Sequence, residues 1–288
     1  MSQGENICIL ENDFGAVNVD MMLLQDLLGE KCDMEMVAGG CDQDCHIRRF
    51  KTKLIAMGMC GYDRVIVEPS GIFDMDEFFD VLREDPLERW YQIDNVMAIV
   101  DANLEENLSS ASNYILASQA ANAGTIIFSK VQEAAIEKKE SILSQIRQAL
   151  DLLQANELAY KGLDHVIWKD WEQWTDEDFA KIQKGAYHPA SYVKKHSLQE
   201  EAFVSLYYMN LPIRKEALLA RIERLFADAS YGHVVRVKGF LPSEDGTWIE
   251  INAVKDRLEI QPIAKGQEVI IVIGENLREE QIDSLLKS

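Results

Sequence analysis

The chain has 288 residues and a formal net charge of −20, a field that repels nucleic acid and anionic membrane, so neither is expected as a partner. Its 47% hydrophobic and 27% charged residues suit a globular protein able to bury a core in one large or two ordinary domains. No apolar run reaches membrane-spanning length, and no basic stretch followed by an apolar one opens the sequence. The cytoplasm is therefore the expected compartment.

The predicted elements begin with a strand over 6–10 that runs into a polar loop, Glu11-Asn12-Asp13-Phe14-Gly15. A helix over 19–28 follows, with Met22, Leu23 and Leu27 on one face and Gly29 as its stop. A short strand over 34–37 precedes Gly39-Gly40-Cys41, and residues 47–59 carry basic and apolar residues at helical spacing. The β-branched run Val65-Ile66-Val67 stops at Glu68-Pro69-Ser70-Gly71. Such a run suits a strand buried on both faces of a parallel sheet. Pro69 has no N–H for a ladder, so the strand is expected to end by Glu68. Glu68 then stands at the carboxyl end of a central strand, where open α/β sheets place their ligands, and Gly71 allows close backbone approach.

A helix over 75–82, a strand over 95–100 ending at Asp101, and a helix over 104–122 come next. Then follow a strand over 125–128 ending at Ser129-Lys130, a long charged helix over 131–154, and a strand over 165–168. Short strands alternating with longer helices imply βαβ units: a parallel sheet, right-handed crossovers, helices on both faces. Glu11, Glu68, Asp101 and Lys130 fall at strand ends, and polar residues gathered on one sheet edge are what a nucleotide or metal site needs. Residues 185–199 are polar and include Pro189, so a linker over 187–200 is expected to divide 1–186 from 201–288. The second half reads as a strand over 202–210, a helix over 213–229, strands near 234–241, 247–253, 257–262 and 268–273, and a helix over 277–286. That succession predicts a small α+β domain with helices on one face of an antiparallel sheet.

All five cysteines lie in the first sixty residues, and nothing in their setting suggests a disulfide framework. Cys8 and Cys60 have apolar neighbours in sequence and are expected to be small core residues. Cys41-Asp42-Gln43-Asp44-Cys45-His46 is different. Thiolates and imidazole suit zinc or another borderline metal, and zinc takes about four ligands. Cys41 and Cys45 with Glu11, or with the carboxylates of Asp42 and Asp44, would supply them; His46 is a further candidate. The bland alternative is two thiols in a solvated loop. Trp168, Trp171 and Trp174 are expected to cover the edge of the last strand, and Arg48, Arg49, Lys51 and Lys53 to form a solvated helix face. No Ser-His-Asp or Cys-His order suggests nucleophilic catalysis.

Taken together, these motifs resemble the CobW-type GTPases of the CobW/HypB/UreG superfamily, which are nucleotide-dependent metal chaperones. Glu11-Asn12-Asp13-Phe14-Gly15 with Asp20 is similar to the family's first switch, Gly39-Gly40-Cys41 to the start of its cysteine motif, and Glu68-Pro69-Ser70-Gly71 to its Glu-x-x-Gly second switch. Val100-Asp101-Ala102 matches a strand end seen there, Ser129-Lys130 occupies the guanine-reading position, and Arg236-Val237-Lys238-Gly239-Phe240 resembles a C-terminal segment. The resemblance implies a P-loop GTPase-type sheet followed by a small α+β domain, GTP and magnesium as cofactors, a metal-requiring client protein as partner, and a possible homodimer. Asp20 and Glu68 would act around the magnesium, whose hard character calls for oxygen ligands. Glu68 would orient the attacking water, directly or through the ion, and Gly71 would offer its N–H to the γ-phosphate.

Three departures qualify it. The phosphate cradle Gly-x-x-x-x-Gly-Lys-Ser/Thr occurs nowhere in the 288 residues. The expectation is thus a family fold without its first strand and phosphate loop, read as a fragment, with a non-catalytic pseudo-GTPase serving as metal-binding or scaffold protein as the alternative. The cysteine motif, Cys-x-Cys-Cys in the family, keeps two thiols four apart. The family's Asn-Lys-x-Asp reads Ser129-Lys130-Val131-Gln132, and Gln132 can accept only through its carbonyl, which puts guanine specificity in doubt.

Overall fold

The computed structural model describes residues 4–13, 24, 28–38, 43–69, 71, 75–194, 203–243, 246–263 and 266–287. The chain forms two compact units, Met1–Ile72 with Glu201–Ser288, and Phe73–Glu200.

In the first unit, β1 (Ile7–Asp13), β2 (Cys32–Ala38) and β3 (Arg64–Pro69) form a parallel sheet in the order β2-β1-β3. Strands form at 6–10, 34–37 and 65–67 as expected, but among the described residues β3 is an edge strand paired with β1, not a central one buried on both faces: Ile66 is 42% exposed, and the strand runs on to Pro69. β1 differs too: it continues through Glu11, Asn12 and Asp13, where a loop was expected. As the middle strand it has a partner on each side, and ladder bonds from both carry the polar residues into the sheet. Asn12 is in register with Val37 on one side and Pro69 on the other.

Helix α1 (Gln43–Cys60) joins β2 to β3. His46, Phe50, Leu54 and Met57 are at most 2% exposed, and their spacing makes one helical stripe. The stripe ends at Met57. Met59 is 77% exposed and Cys60 is exposed as well, so Cys60 is not the core residue expected from its apolar neighbours. Cys8 and Cys32 are buried.

The same unit holds a five-stranded antiparallel sheet, built from β7 (Val204–Met209), β8 (His233–Pro242), β9 (Trp248–Val254), β10 (Arg257–Ile263) and β11 (Val269–Glu275) in the order β10-β9-β8-β11-β7. The helices of this segment, Lys215–Ala227 and Glu279–Leu286, bring Leu218, Ile222, Leu225, Ile282, Leu285 and Leu286 into one core with Val237, Ile251, Ile270 and Val272 of the sheet. Burying each of these side chains contributes about 1.5–3 kcal/mol. This is the α+β pattern expected of the second half.

The second unit contains α2 (Met75–Leu82), α3 (Leu87–Trp90), β4 (Met97–Asp101), α4 (Ser110–Ala121), β5 (Thr125–Ser129), α5 (Glu137–Leu152), β6 (Val166–Ile167) and α6 (Asp176–Gly185). Its strands are parallel in the order β4-β5-β6. Residues 125–128 are all buried, as a strand covered on both faces requires. β4 is covered on one face only: Ala98 and Val100 are buried, while Met97 and Ile99 are 45% and 62% exposed.

The helix expected from 104 starts at 110, because Ser109 caps it by accepting a hydrogen bond from the Ser112 N–H at 2.9 Å. The helix expected over 131–154 is interrupted. Lys130 adopts φ 57°, ψ 30°, a 3-10 turn covers Val131–Glu133, and α5 starts only at Glu137. The expected helix over 19–28 falls largely outside the described residues.

Candidate functional site

Two groups of side chains stand at the carboxyl ends of parallel strands. The first is on the β2-β1-β3 sheet. Glu11 and Glu68 are register partners on adjacent strands, which sets their backbones about 4.8 Å apart with side chains on the same face. Glu11 is 4% exposed, whereas Glu68 is exposed at the last position before Pro69. Gly71 follows at the surface, and a Cβ built on it would meet nothing within 4 Å. Of the residues picked out from sequence, Glu11, Glu68 and Gly71 thus share one end of one sheet. Two carboxylates side by side at a strand end are a fitting oxygen donor set for a hard divalent cation.

Neither Asp20 nor Cys41 is among the described residues. Cys45 lies in the first turn of α1 and is half-buried. Among the described residues no three His, Cys, Asp or Glu side chains stand close enough to hold a metal ion. Strand alternation accounts for part of this. Asn12 meets His46 of α1, so α1 covers the Asn12 face of β1, and Glu11, one residue earlier, points to the other face.

The His46–Asn12 contact was not legible in the motif. The His46 Nε2 lies 2.6 Å from Asn12 Oδ1, and the two residues are 0% and 1% exposed. An amide oxygen only accepts, so the imidazole donates from Nε2. The available signal was the helical stripe: residues 50, 54 and 57 extrapolate back one turn to 46.

The second group is on the β4-β5-β6 sheet. Asp101 and Ser129 are register partners at the ends of β4 and β5. The left-handed backbone of Lys130 turns its side chain back over the sheet end, and its Nζ donates to Asp101 Oδ2 at 2.6 Å. Asp101 Oδ1 accepts from the Asn103 N–H at 2.8 Å, and the Ala102 N–H donates to the Ser129 carbonyl at 2.9 Å. Ser129 and Lys130 therefore sit on a braced platform, and Gln132 is exposed beside it. Asp101, marked from sequence only as a strand end, proves to be the partner of Lys130.

The model of the CobW/HypB/UreG nucleotide-binding domain matches residues 1–155. This chain belongs to the CobW/HypB/UreG family. The cobalamin synthesis protein cobW C-terminal domain matches residues 207–288, the segment of the antiparallel sheet. Zinc chaperone YeiR of Escherichia coli (strain K12) is 27% identical over 139 residues. That match spans 48% of this chain and 42% of the relative, less than half of its length. The Zn(II)-bound YjiA GTPase from E. coli is 17% identical, with a TM-score of 0.35 over 98% of this chain and 89% of that one. A Zn(II)-bound triple mutant of the YjiA GTPase gives 15% identity and a TM-score of 0.37, covering 100% and 92%. Both structural likenesses are too distant to bear on the CobW site.

Proposed function

We propose that this CobW-family chain is a nucleotide-switched metal-delivery protein whose cargo is zinc or a similar borderline transition metal. The observation that carries the reading is the pairing of Glu11 with Glu68 at the ends of adjacent parallel strands, next to a strand, β2, that leads into the cysteine segment. In this reading Glu68 and Asp20 handle the magnesium of a bound GTP, Glu68 orients the attacking water, and Gly71 senses the γ-phosphate through its N–H. The resemblance assigns Ser129 and Lys130 to the base, and Cys41 and Cys45 take the cargo metal before a client protein receives it, with Glu11 joining from beside Glu68. Bound magnesium would neutralise phosphate charge as the terminal phosphoryl group leaves.

A second reading has an observation in its favour. The 288 residues contain no Gly-x-x-x-x-Gly-Lys-Ser/Thr, and phosphate affinity in such proteins comes mainly from that loop and the helix it opens. These residues by themselves would then act as a non-catalytic metal-binding or scaffold protein with weak nucleotide affinity.

Zinc titration in competition with a chromophoric chelator tests the common core of both readings. Wild type is expected to outcompete Cys41→Ser/Cys45→Ser at least ~10-fold, as expected when thiolate ligands are lost. Equal affinity ends the metal reading. The same samples titrated with a fluorescent GTP analogue and magnesium then separate switch from scaffold: measurable binding weakened by Glu68→Gln supports the first, and no binding the second.

A further inference from the structure

Among the described residues, His46 and Asn12 form a buried polar contact that none of the proposed ligand roles uses. It joins two segments of different duty. Asn12 lies next to Glu11 in the middle strand of its sheet. His46 lies next to Cys45, in the first turn of the helix that follows the cysteine segment. The rest of the buried stripe of α1, Phe50, Leu54 and Met57, is apolar. An apolar residue at 46 would continue the stripe and pack as well. A polar pair at this point also constrains direction, because the N–H must point at the amide oxygen to make the 2.6 Å bond. The pair is also not closed on itself. Asn12 Nδ2 is buried and has no hydrogen-bond partner among the described residues, whereas native buried amides nearly always find one.

We propose that His46 is a positioning residue for the metal site. By holding the Asn12 amide it ties the first turn of α1 to the end of β1, and so sets where Cys45 stands relative to the strand that carries Glu11. The same tie gives the strand end and the cysteine segment a common mechanical link, so that a shift of one is passed to the other. This inference rests on the metal reading for its consequence, while the tie itself can be measured without metal.

The experiment compares wild type, His46→Phe and His46→Gln in two assays. Zinc affinity is measured by chelator competition, and the rate of Cys45 alkylation by iodoacetamide is followed by mass spectrometry in zinc-free protein. Far-UV circular dichroism checks the fold. His46→Phe keeps a ring and loses the bond; it is expected to weaken zinc binding ~10–100-fold, the usual effect of removing a group that orients a ligand. It is also expected to speed Cys45 alkylation about tenfold, as a first turn released from its strand exposes its thiol. His46→Gln retains an N–H for Asn12 and should stay within about threefold of wild type in both assays. Should His46→Phe fail to fold, Asn12→Ala withdraws the acceptor from the other side and carries the same readouts. Wild-type behaviour of the Phe variant in both assays overturns the proposal. A Gln variant as weak for zinc as the Phe variant also overturns it, since the imidazole would then be a ligand. If wild type binds no zinc, the metal reading falls, and the alkylation rates still decide whether the tie exists.

Discussion

Gly124→Ala tests how the platform under Ser129 and Lys130 is built. Gly124 is buried immediately before β5; its N–H donates to the Val96 carbonyl at 2.9 Å, and the Val96 N–H donates to the Ala186 carbonyl at 3.2 Å. A Cβ on Gly124 would lie 2.1 Å from both the Ala186 and Gly185 carbonyl oxygens and 2.4 Å from the Gly185 carbonyl carbon. Across the contact, a Cβ on Gly185 would lie 2.1 Å from Thr125 Oγ1. Two backbones pass here with no room for a methyl group on either. Every atom that blocks the new methyl at Gly124 belongs to the backbone, so the chain after α6 must retreat by about 1 Å to reach ordinary contact. That movement breaks the Val96–Ala186 bond. Overpacking costs about 1–3 kcal/mol, and one lost buried backbone bond adds about 1 kcal/mol, so about 2–4 kcal/mol is expected. At this size each kcal/mol lowers the Tm by roughly 2–4 °C, which puts the loss near 10 °C. Differential scanning calorimetry, with Trp168, Trp171 and Trp174 as local fluorescence reporters, measures it. Gly29→Ala is the control: an added methyl there meets nothing within 4 Å, and a Tm change below about 1 °C is expected. A Gly124 variant that melts with wild type would refute the close backbone approach.

Two further outcomes follow from the thiols and from a tyrosine. Cys8 is fully buried, and burial foremost pushes its thiol from an ordinary 9.0 up to about 11; the two-unit rise lowers its thiolate fraction about 100-fold near neutral pH. Native iodoacetamide labelling should therefore modify exposed Cys60 early and Cys8 only on unfolding; comparable rates would contradict the placement of β1. Tyr160 donates to Asp151 Oδ1 at 2.6 Å, and this bond foremost pushes its hydroxyl up to about 12. The folded value lies above the unfolded value of about 10, so the bond's stabilisation is complete below about pH 10 and is lost as pH rises through about 12. Absorbance titration at alkaline pH should show a late group of tyrosines, since Tyr62 and Tyr208 are pushed up as well, and one of that group should move earlier in Asp151→Asn; an unchanged curve would remove the bond.

The sheets were legible where chemistry and period agreed. Val65-Ile66-Val67 and 125–128 are short, β-branched or fully apolar, and bounded by polar residues, and both became strands. The same rule stopped β1 too early, because the run turns polar at Glu11 while its ladder continues through Asn12 with a neighbour on each side and to Asp13 with β2, neighbours that no local window contains. Cys60 shows a related failure: apolar neighbours in sequence are not apolar neighbours in space, and the stripe of α1 had already ended at Met57. The break after Lys130 had no signal, since a left-handed lysine is chosen by its surroundings, here the carboxylate of Asp101. At the site, the pairing of Glu11 with Glu68 follows from register once both are placed at strand ends. The link from His46 to Asn12 was accessible only by extending a helical stripe one turn before the first apolar residue.

The polar extension of β1 carries a cost that bears on function. Glu11 and Asn12 are buried at the end of the middle strand, where an apolar pair would be expected to stabilise the sheet more. Glu11 also stands in register with a second carboxyl side chain, Glu68. A strand end selected for stability alone would avoid both features. If the proposed metal role holds, a cation bound by these carboxylates would couple ion binding to closure of the sheet end. The stability of the sheet would then report ion binding.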